Sequence, residues 1–202
     1  GNGIALTEKG LRRIFPKTPG GERAGGFFLI LIICLFSAGV PGLILWFAYH
    51  WHTWLGVFLE TFMCYQLLAT KSLKEESMKV YEQLKAGNLE GARYAVSMIV
   101  GRDTKSLDEE GVTKAAVETI AENTSDGIIA PLFYMALGGA PLMFLYKAIN
   151  TMDSMLGYRT ERFKDFGRAA ARIDDAANYL PARLTALLMA LAACIPFRNG
   201  KS

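Results

Sequence analysis

Four polar side chains stand together immediately before an apolar stretch of the sequence. In AVETIAENTSDGIIAPL, residues 116–132, they are Glu118, Glu122, Asn123 and Asp126. On a helix the three acids share one face at intervals of one turn, so their charges repel unless a cation lies among them. Mg²⁺ takes oxygen ligands from one or two carboxylates and from substrate phosphates. The spacing favours a metal–phosphate site; the alternative is a solvated acidic helix start, stabilised by the helix dipole.

Two later segments combine carboxylates, amides and cations on a helix beside apolar residues. YKAINTMDSMLGYR places Lys147, Asn150 and Asp153 at intervals of three residues. ARIDDAANYLPARL contributes five more side chains, namely Arg172, Asp174, Asp175, Asn178 and Arg183. In that segment Asp174 and Asn178 are one helical turn apart. A single cluster of this kind is compatible with a structural salt-bridge network. The recurrence of such clusters beside apolar segments argues for a functional site.

A fourth polar segment, VGRDTKSL, follows an apolar run and contains Arg102 and Asp103. Gly101 there is expected to permit a tight turn whose amides face a phosphate. Guanidinium forks and ammonium groups hold phosphate oxygens, and the candidates for this role are Arg102, Lys147, Arg172 and Arg183. The sequence has no GxxxxGK[ST], GxGxxG or GxSxG motif. The expected chemistry is metal-assisted transfer on a phosphate-bearing substrate.

The composition indicates membrane segments joined by long charged stretches. The 202 residues are 51% hydrophobic with a mean hydropathy of +0.22, and the net charge is only +3. Because the basic residues are dispersed among acids, nucleic acid is not an expected partner. Cys34, Cys64 and Cys194 lie far apart in apolar runs, which predicts neither a disulfide framework nor a zinc site.

Two apolar segments near the N-terminus predict a transmembrane hairpin. Residues 26–48 carry no charge over more than the roughly 20 residues that span hydrocarbon. The second segment, residues 54–68, has Glu60 at its centre, which either faces protein or water or lies near an interface. Lys and Arg flank the pair on both outer sides and are absent from the link YHWHT. The positive-inside rule therefore places both flanks in the cytoplasm.

Further along the chain, residues 127–146 are long enough to span but contain Pro131, Pro141 and a Gly-Gly pair. Basic residues on both sides favour a broken, re-entrant hairpin. Residues 72–100 are expected to form a cytoplasmic pair of amphipathic helices broken at Gly87-Asn88. Residues 184–197 are short for a span. The predicted fold is all-α: a polytopic integral membrane helical bundle with amphipathic cytoplasmic helices and a broken or re-entrant segment.

Four blocks of the sequence resemble one family. VGRDT, AAVETIAENTSDGIIAPLF, GGAPLMFLYKAINTMDSMLGY and ARIDDAANYLPARL are similar, in this order, to signature blocks of adenosylcobinamide-phosphate synthase, the CbiB-type membrane protein of cobalamin biosynthesis. The resemblance runs from about Gly1 to Leu191. Family members usually begin with an additional apolar segment and continue past LAACIPF. We therefore expect 1–202 to be a single membrane-embedded helical domain, shortened relative to the family chain.

The resemblance implies an integral membrane ligase that joins adenosylcobyric acid to (R)-1-aminopropan-2-ol phosphate through an amide bond. ATP is the expected co-substrate and Mg²⁺ the expected cofactor. The expected partners are the corrinoid, the aminopropanol phosphate and the lipid bilayer, in a homo-oligomer or a complex with later corrinoid-pathway membrane enzymes. The expected location is the cell (inner) membrane, multi-pass, with the active face in the cytoplasm.

The polar side chains match the family's blocks residue by residue, and the chemistry of each residue type then suggests its role. The implied catalytic residues are Asp103, Glu118, Glu122, Asn123, Asp126, Lys147, Asn150, Asp153, Asp174, Asp175 and Asn178. The implied Mg²⁺ ligands are drawn from Glu118, Glu122, Asp126, Asp174 and Asp175. The implied phosphate-binding cations are Arg102, Lys147, Arg172 and Arg183.

Two other functions are compatible with the same residues. A membrane prenyl- or phosphatidyl-type transferase also surrounds Mg²⁺-diphosphate with Asp-rich helices; it would take a lipid diphosphate and use no ATP. A non-enzymatic membrane scaffold would use the charged clusters as internal salt bridges. In a scaffold, changing an acid to its amide lowers stability, whereas in an enzyme the change lowers turnover.

Overall fold

The computed structural model describes residues 2–68, 70–101, 103–157 and 163–194, and the regular structure within them is helical throughout. The helices are α1 (Asn2–Ile14), α2 (Pro19–Trp51), α3 (Thr53–Leu67), α4 (Thr70–Lys85), α5 (Leu89–Ser97), α6 (Glu109–Thr124), a π-helical turn (Ser125–Ile129), α7 (Ala130–Leu156) and α8 (Arg168–Ala193). The all-α prediction is confirmed.

Three stretches of helix are long and apolar enough to cross a membrane, judged by length and composition: Pro19–Trp51, Glu109–Leu156 and Arg168–Ala193. On α2, large side chains such as Phe36, Trp46 and Phe47 are more than half exposed. Because a soluble protein does not leave so much apolar surface in water, these side chains indicate contact with lipid. The predicted span over 26–48 therefore lies inside α2.

The chain divides into two compact units. The first consists of Gly1–Leu67 and Ala130–Pro181, and the second of Leu68–Ile129 and Ala182–Ser202. The first unit contains the predicted N-terminal hairpin and the broken segment. The second contains the amphipathic helices and the acid-rich stretch.

In the first unit, α2 and α3 form the predicted hairpin, joined at His52. The backbone N–H groups of Leu55 and Gly56 donate to the His52 carbonyl and so start α3. The ring of Tyr49 lies where a side chain at position 56 would be, so only glycine fits there. With 15 residues, α3 is about 22 Å long, shorter than the roughly 30 Å of bilayer hydrocarbon. It is not one of the three candidate spans.

Helix α7 folds back on itself at its glycine pair. Gly139 has φ 64° and ψ −159°, a conformation that glycine adopts without a steric penalty. The rings of Tyr134 and Tyr146 stack with their centroids 5.1 Å apart. In a straight helix two residues so separated would lie about 18 Å apart. The prediction of a broken segment forming a hairpin is confirmed.

A hydrophobic core joins α2, α7 and the start of α8 in the first unit. Its buried residues include Leu29, Met152, Leu156, Phe166 and Ala170. Gly26 packs directly against the backbone of Phe166 and leaves no room for a side chain. This contact fixes the turn at residues 163–167 against α2.

The second unit has its own core, formed by α4, α5 and α6. Val80, Val96 and Val112 are almost fully buried in it. Gly87, with φ 67°, ends α4, and Asn88 caps α5 by accepting a hydrogen bond from Gly91 N at 3.0 Å. The predicted helix pair and its break are confirmed.

Helix α8 differs from the sequence expectation. Residues 184–197 alone are short for a span, but α8 begins at Arg168 and continues through Pro181 to Ala193. Its polar first half therefore adds to the apolar second half, and the whole helix has the length and composition of a span. The expectation failed because it considered the apolar residues 184–197 alone, whereas the helix extends 16 residues further toward the N-terminus and accommodates Pro181.

Candidate functional site

The first unit contains a cleft of about 760 Å³, called here the basic cleft. It lies where the N-terminal part of α2, the end of α7, the 163–167 turn and the first two turns of α8 meet. Its lining residues are Pro19, Arg23, Gly157, Phe163, Lys164, Asp165, Gly167, Arg168, Ala171, Arg172 and Asp175. Four of these residues are cations and two are acids, so the lining has a net positive charge.

Helical spacing explains which residues of α8 line the basic cleft. Arg168, Arg172 and Asp175 are separated by four and three residues, so they share one face of the helix. The turn before α8 holds that face in place because Gly167 donates its backbone N–H to Phe163 O at 2.8 Å. A side chain at position 167 would collide with the carbonyl of Leu156. The glycine therefore lets the turn pack on the end of α7.

Two predicted acids meet at this cleft from different helices. Asp153, half-buried near the end of α7, and Asp175 of α8 lie close enough for their charges to repel each other. Gly157, in the cleft wall, has the Asp153 carboxylate where a side chain would be. The blocks YKAINTMDSMLGY and ARIDDAANYL are thus joined at one place, as expected if they serve one site.

Asp174 and Asn178 are not among the residues that line the cleft, and they belong to a hydrogen-bonded chain. Tyr146 donates its hydroxyl to Asn178 Oδ1 at 2.8 Å, and Asn178 Nδ2 donates to Asp174 Oδ2 at 3.0 Å. Tyr134, stacked on Tyr146, donates to the Ala177 carbonyl at 3.0 Å. The predicted one-turn pairing of Asp174 with Asn178 is confirmed, and the chain ties α8 to both halves of α7.

The other predicted residues of the first unit lie on α7. Lys147 and Asn150 are half-buried and are not among the residues that line the basic cleft. Their carbonyls accept hydrogen bonds from the hydroxyls of Thr151 and Ser154 one turn later.

Sequence reasoning missed three cations of the basic cleft: Arg23, Lys164 and Arg168. Arg23 donates to Asp165 Oδ1 at 2.8 Å and so links α2 to the 163–167 turn. Arg168 had a recognisable signal, because it precedes Arg172 by one turn on the same face. Lys164 lies in a turn whose position depends on packing between distant segments, and no local pattern indicates it.

The second unit contains a smaller cleft of about 410 Å³, called here the acidic cleft. Its lining residues are Ile99, Val100, Gly101, Glu118, Thr119, Glu122 and Asn123. The structure therefore brings the VGRDT block beside the acid-rich helix. Glu118 and Glu122 are exposed on one face of α6, as their spacing predicts, and Asn123 donates to the Thr119 carbonyl at 3.0 Å.

Asp126 departs from the predicted continuation of that face. The α-helix ends at Thr124, and Ser125–Ile129 form a π-helical turn. The wider turn changes the angular register, so Asp126 does not follow Glu122 at α-helical spacing and does not line the acidic cleft. Ser125, at its start, is buried and its hydroxyl has no hydrogen-bond partner among the described residues.

The VGRDT loop is held by side chains that sequence reasoning did not select. Thr104 donates to the Arg93 carbonyl at 3.0 Å, and Arg93 donates to the Leu107 carbonyl at 2.6 Å. Asp103 accepts the backbone N–H of Lys105 at 3.0 Å, a local turn contact.

The tight turn that the sequence predicts at Gly101 does not depend on the conformational freedom of glycine. Among the described glycines only Gly87 and Gly139 have positive φ, and space is open where a side chain at 101 would lie. Arg102 lies outside the described residues. Arg183 is exposed on α8.

The described residues contain no group of three or more His, Cys, Asp or Glu side chains that could hold one metal ion. The acids occur instead as pairs, Asp153 with Asp175 and Glu118 with Glu122. A Mg²⁺ ion bound through one or two carboxylates and substrate phosphates needs no third protein acid. The Glu118–Glu122 pair, whose members line one cleft, fits that mode of binding.

Comparison with known proteins identifies relatives along almost the whole chain. The family described as "CobD/Cbib protein" matches residues 1–201. "Cobalamin biosynthesis protein CobD" of Clostridium perfringens is 47% identical over 195 residues, which is 96% of this chain and 61% of that protein. The proteins of the same name from Klebsiella pneumoniae and Geobacter metallireducens are 45% and 47% identical, each over 98% of this chain and 61% of their own length.

The chain thus spans about 61% of the length of the curated relatives it matches. No solved structure matches it. Both the family match over residues 1–201 and the near-complete coverage by the relatives lead to one conclusion: the chain belongs to the CobD/CbiB protein family of cobalamin biosynthesis.

Proposed function

We propose that this chain contributes the amide-forming activity of an adenosylcobinamide-phosphate synthase. The reaction joins a carboxyl group of adenosylcobyric acid to the amine of (R)-1-aminopropan-2-ol phosphate, with ATP as co-substrate and Mg²⁺ as cofactor. The single observation that carries the proposal is the basic cleft, where Asp175, with Asp153 beside it, lies next to a set of cations. Amide formation from phosphate-bearing substrates needs both kinds of group.

The chemistry assigns distinct tasks to acids and cations. The corrinoid carboxylate attacks the γ-phosphorus of ATP and releases ADP, which gives an acyl phosphate. The amine then attacks the acyl carbon, loses a proton, and inorganic phosphate leaves. When bound, Mg²⁺ neutralises the developing phosphate charge. Arg172 and the other cations of the basic cleft hold phosphate oxygens through charge-assisted hydrogen bonds.

The candidate Mg²⁺ ligands are Glu118 and Glu122 of the acidic cleft, with Asp126 in the adjoining π-helical turn. In the first unit, Asp175 lines the basic cleft, whereas Asp174 is not among its lining residues. An acid that binds no metal is available to accept the proton of the attacking amine. Because positioning and electrostatic stabilisation dominate phosphoryl transfer, loss of one charged group lowers turnover strongly without unfolding the protein.

The proposal also places the protein in its surroundings. The apolar helices lie in the cell (inner) membrane, and the clefts face the cytoplasm, where ATP is supplied. The protein is expected to assemble as a homo-oligomer or with later membrane enzymes of corrinoid synthesis. The second arrangement would pass the product to the next enzyme. The relatives are longer than this chain, and the proposed activity includes any residues that the additional length supplies to the site.

Reconstitution in nanodiscs tests the proposal. The chain is incubated with adenosylcobyric acid, aminopropanol phosphate and Mg²⁺, with and without ATP, and the amide product is measured by mass spectrometry. We expect ATP-dependent product that falls at least 100-fold in Glu122→Gln and Asp175→Asn. Glu82→Gln, an exposed acid on α4, is the matched control and retains activity.

Two results would overturn the proposal. One is the absence of product both from this chain and from a chain extended to the length of its relatives. The other is near-normal turnover in both acid variants. Transfer from a lipid diphosphate without ATP would instead establish a transferase.

A further inference from the structure

We propose that the basic cleft binds an aminoalkyl phosphate, with the phosphate held by Lys164, Arg168 and Arg172 and the ammonium group facing Asp175. This inference rests on the proposed function and deepens it, because it assigns the amine substrate, and not the nucleotide, to a particular place. It also adds Lys164 and Arg168 to the residues that contact substrate.

The three cations are available to a ligand. Arg23, the fourth cation of the cleft, is already paired with Asp165 at 2.8 Å. Within the part of the chain that the structure describes, no hydrogen bond or ion pair engages the side chains of Lys164, Arg168 or Arg172, and all three are exposed to solvent. Clustered like charges destabilise a surface, so such a set indicates that an anion completes it.

Two of the cations are arranged for one anion. Arg168 and Arg172 are one turn apart on the same face of α8, so their guanidinium groups lie on one side of the helix. Guanidinium forks match the oxygens of a phosphate and bind them with charge-assisted hydrogen bonds. Lys164, in the turn before α8, adds a point charge to the lining of the same cleft.

The acid in the same cleft favours a ligand that carries a cation as well as an anion. Asp175 lines the cleft three residues after Arg172, and its charge repels that of Asp153. A bare phosphate bound nearby would increase this repulsion, whereas a ligand with an ammonium group offsets it. The cleft therefore offers cations to the phosphate group of a ligand and a carboxylate to its ammonium group.

Spacing along α8 suits a short zwitterion. Arg172 and Asp175 are separated by about 4.5 Å along the helix axis. Four bonds separate the nitrogen and phosphorus of an aminoalkyl phosphate, which span roughly 5 Å when extended. Because the cleft of about 760 Å³ is larger than such a molecule, the amine has space beside it for the carboxyl-bearing partner.

Direct binding measurements on the chain in nanodiscs test the inference without turnover. The probes are 1-aminopropan-2-ol phosphate, propan-2-yl phosphate, 1-aminopropan-2-ol and Mg²⁺-ATP, each titrated by calorimetry. We expect aminopropanol phosphate to bind the wild-type protein at least tenfold more tightly than either one-ended probe. Mg²⁺-ATP is expected not to compete with it.

Variants separate the two ends of the ligand. Arg168→Gln and Arg172→Gln should each weaken both phosphate probes by about tenfold, the scale of one lost charge-assisted contact. Asp175→Asn should weaken only the probe that carries both groups. Arg13→Gln, an exposed arginine of α1 outside the cleft, is the matched control and should change neither. Circular dichroism checks that each variant is folded.

Several outcomes would overturn the inference. If Arg168→Gln and Arg172→Gln bind phosphate probes as Arg13→Gln does, the cations do not hold the phosphate. If Asp175→Asn weakens both phosphate probes equally, the ammonium does not face that acid. Competition by Mg²⁺-ATP would make the cleft a nucleotide site. Binding as expected in a chain that forms no amide would overturn the proposed function and support the assignment of the cleft.

Discussion

Glu60 accepts a hydrogen bond from the backbone N–H of Ala140 at 3.2 Å, across 80 residues of sequence. Its second carboxylate oxygen accepts the hydroxyl of Tyr49 at 2.7 Å. Ala140 begins the second half of α7, immediately after the break at Gly139, where backbone N–H groups have no partner within the helix. Glu60 therefore caps that half-helix, so it contacts protein, as the first sequence interpretation of this acid expects.

Replacing Glu60 tests the cap. We expect Glu60→Leu to lower the free energy of unfolding by about 1–3 kcal/mol, because it leaves a buried backbone N–H without an acceptor. Glu60→Gln keeps an acceptor and should lose less. Thermal unfolding in detergent measures both changes.

Tyr49→Phe completes the comparison. It removes the donor to the other oxygen of Glu60 and leaves the contact with Ala140 in place, so its effect should be smaller than that of Glu60→Leu. Equal stability of Glu60→Leu and the wild-type protein would show that the cap contributes nothing.

The break itself depends on Gly139. Its combination of φ 64° and ψ −159° costs a residue with a side chain about 1–3 kcal/mol. A methyl group at this position would also contact the Glu60 carboxylate. Gly139→Ala should therefore lower the unfolding temperature, and the loss should be partly relieved in a Glu60→Ala background.

Gly39→Ala provides the control for that substitution. Gly39 lies within α2 with open space around it, so alanine there should be tolerated. If Gly139→Ala and Gly39→Ala unfold at the same temperature, the left-handed conformation at position 139 is not needed.

The break in α7 could be predicted from the sequence, whereas its cap could not. Pro141 and the two glycines predict an interruption because they are poor helix formers, and the structure has the break at Gly138–Gly139. That Glu60 caps the resulting helix could not be predicted, because the partners are far apart in sequence and no local pattern records a tertiary contact.

In the candidate site, too, some residues could be predicted from the sequence and others could not. Helical spacing correctly grouped Glu118 with Glu122 and paired Asp174 with Asn178. The π-helical turn at Ser125 was not predictable, because its backbone departs from the regular 3.6-residue period without a change in residue type. Lys164 was missed for a related reason: it lies in a turn, and no helical periodicity indicates its position.

The hydrogen-bonded chain from Tyr146 to Asp174 should stabilise the fold more than any exposed tyrosine does. Tyr146→Phe removes the donor to Asn178 Oδ1, and because Tyr146 is fully buried, water does not replace it. We expect a loss of about 1 kcal/mol in the free energy of unfolding. Tyr65→Phe, at a tyrosine whose side chain is largely exposed, is the control. Equal unfolding midpoints in denaturant for the two variants would contradict the prediction.

The paired acids of the acidic cleft should control the metal requirement. Glu118 and Glu122 are exposed and share one face of α6, so removing either charge lowers affinity for a divalent cation that both contact. In the amide-forming assay, Glu118→Gln should raise the Mg²⁺ concentration for half-maximal rate by at least tenfold, with a smaller change in the maximal rate. Glu82→Gln should leave the Mg²⁺ titration unchanged. A lower maximal rate at an unchanged Mg²⁺ midpoint would assign Glu118 a role other than metal binding, because a lost ligand is compensated at high metal concentration and a lost catalytic group is not.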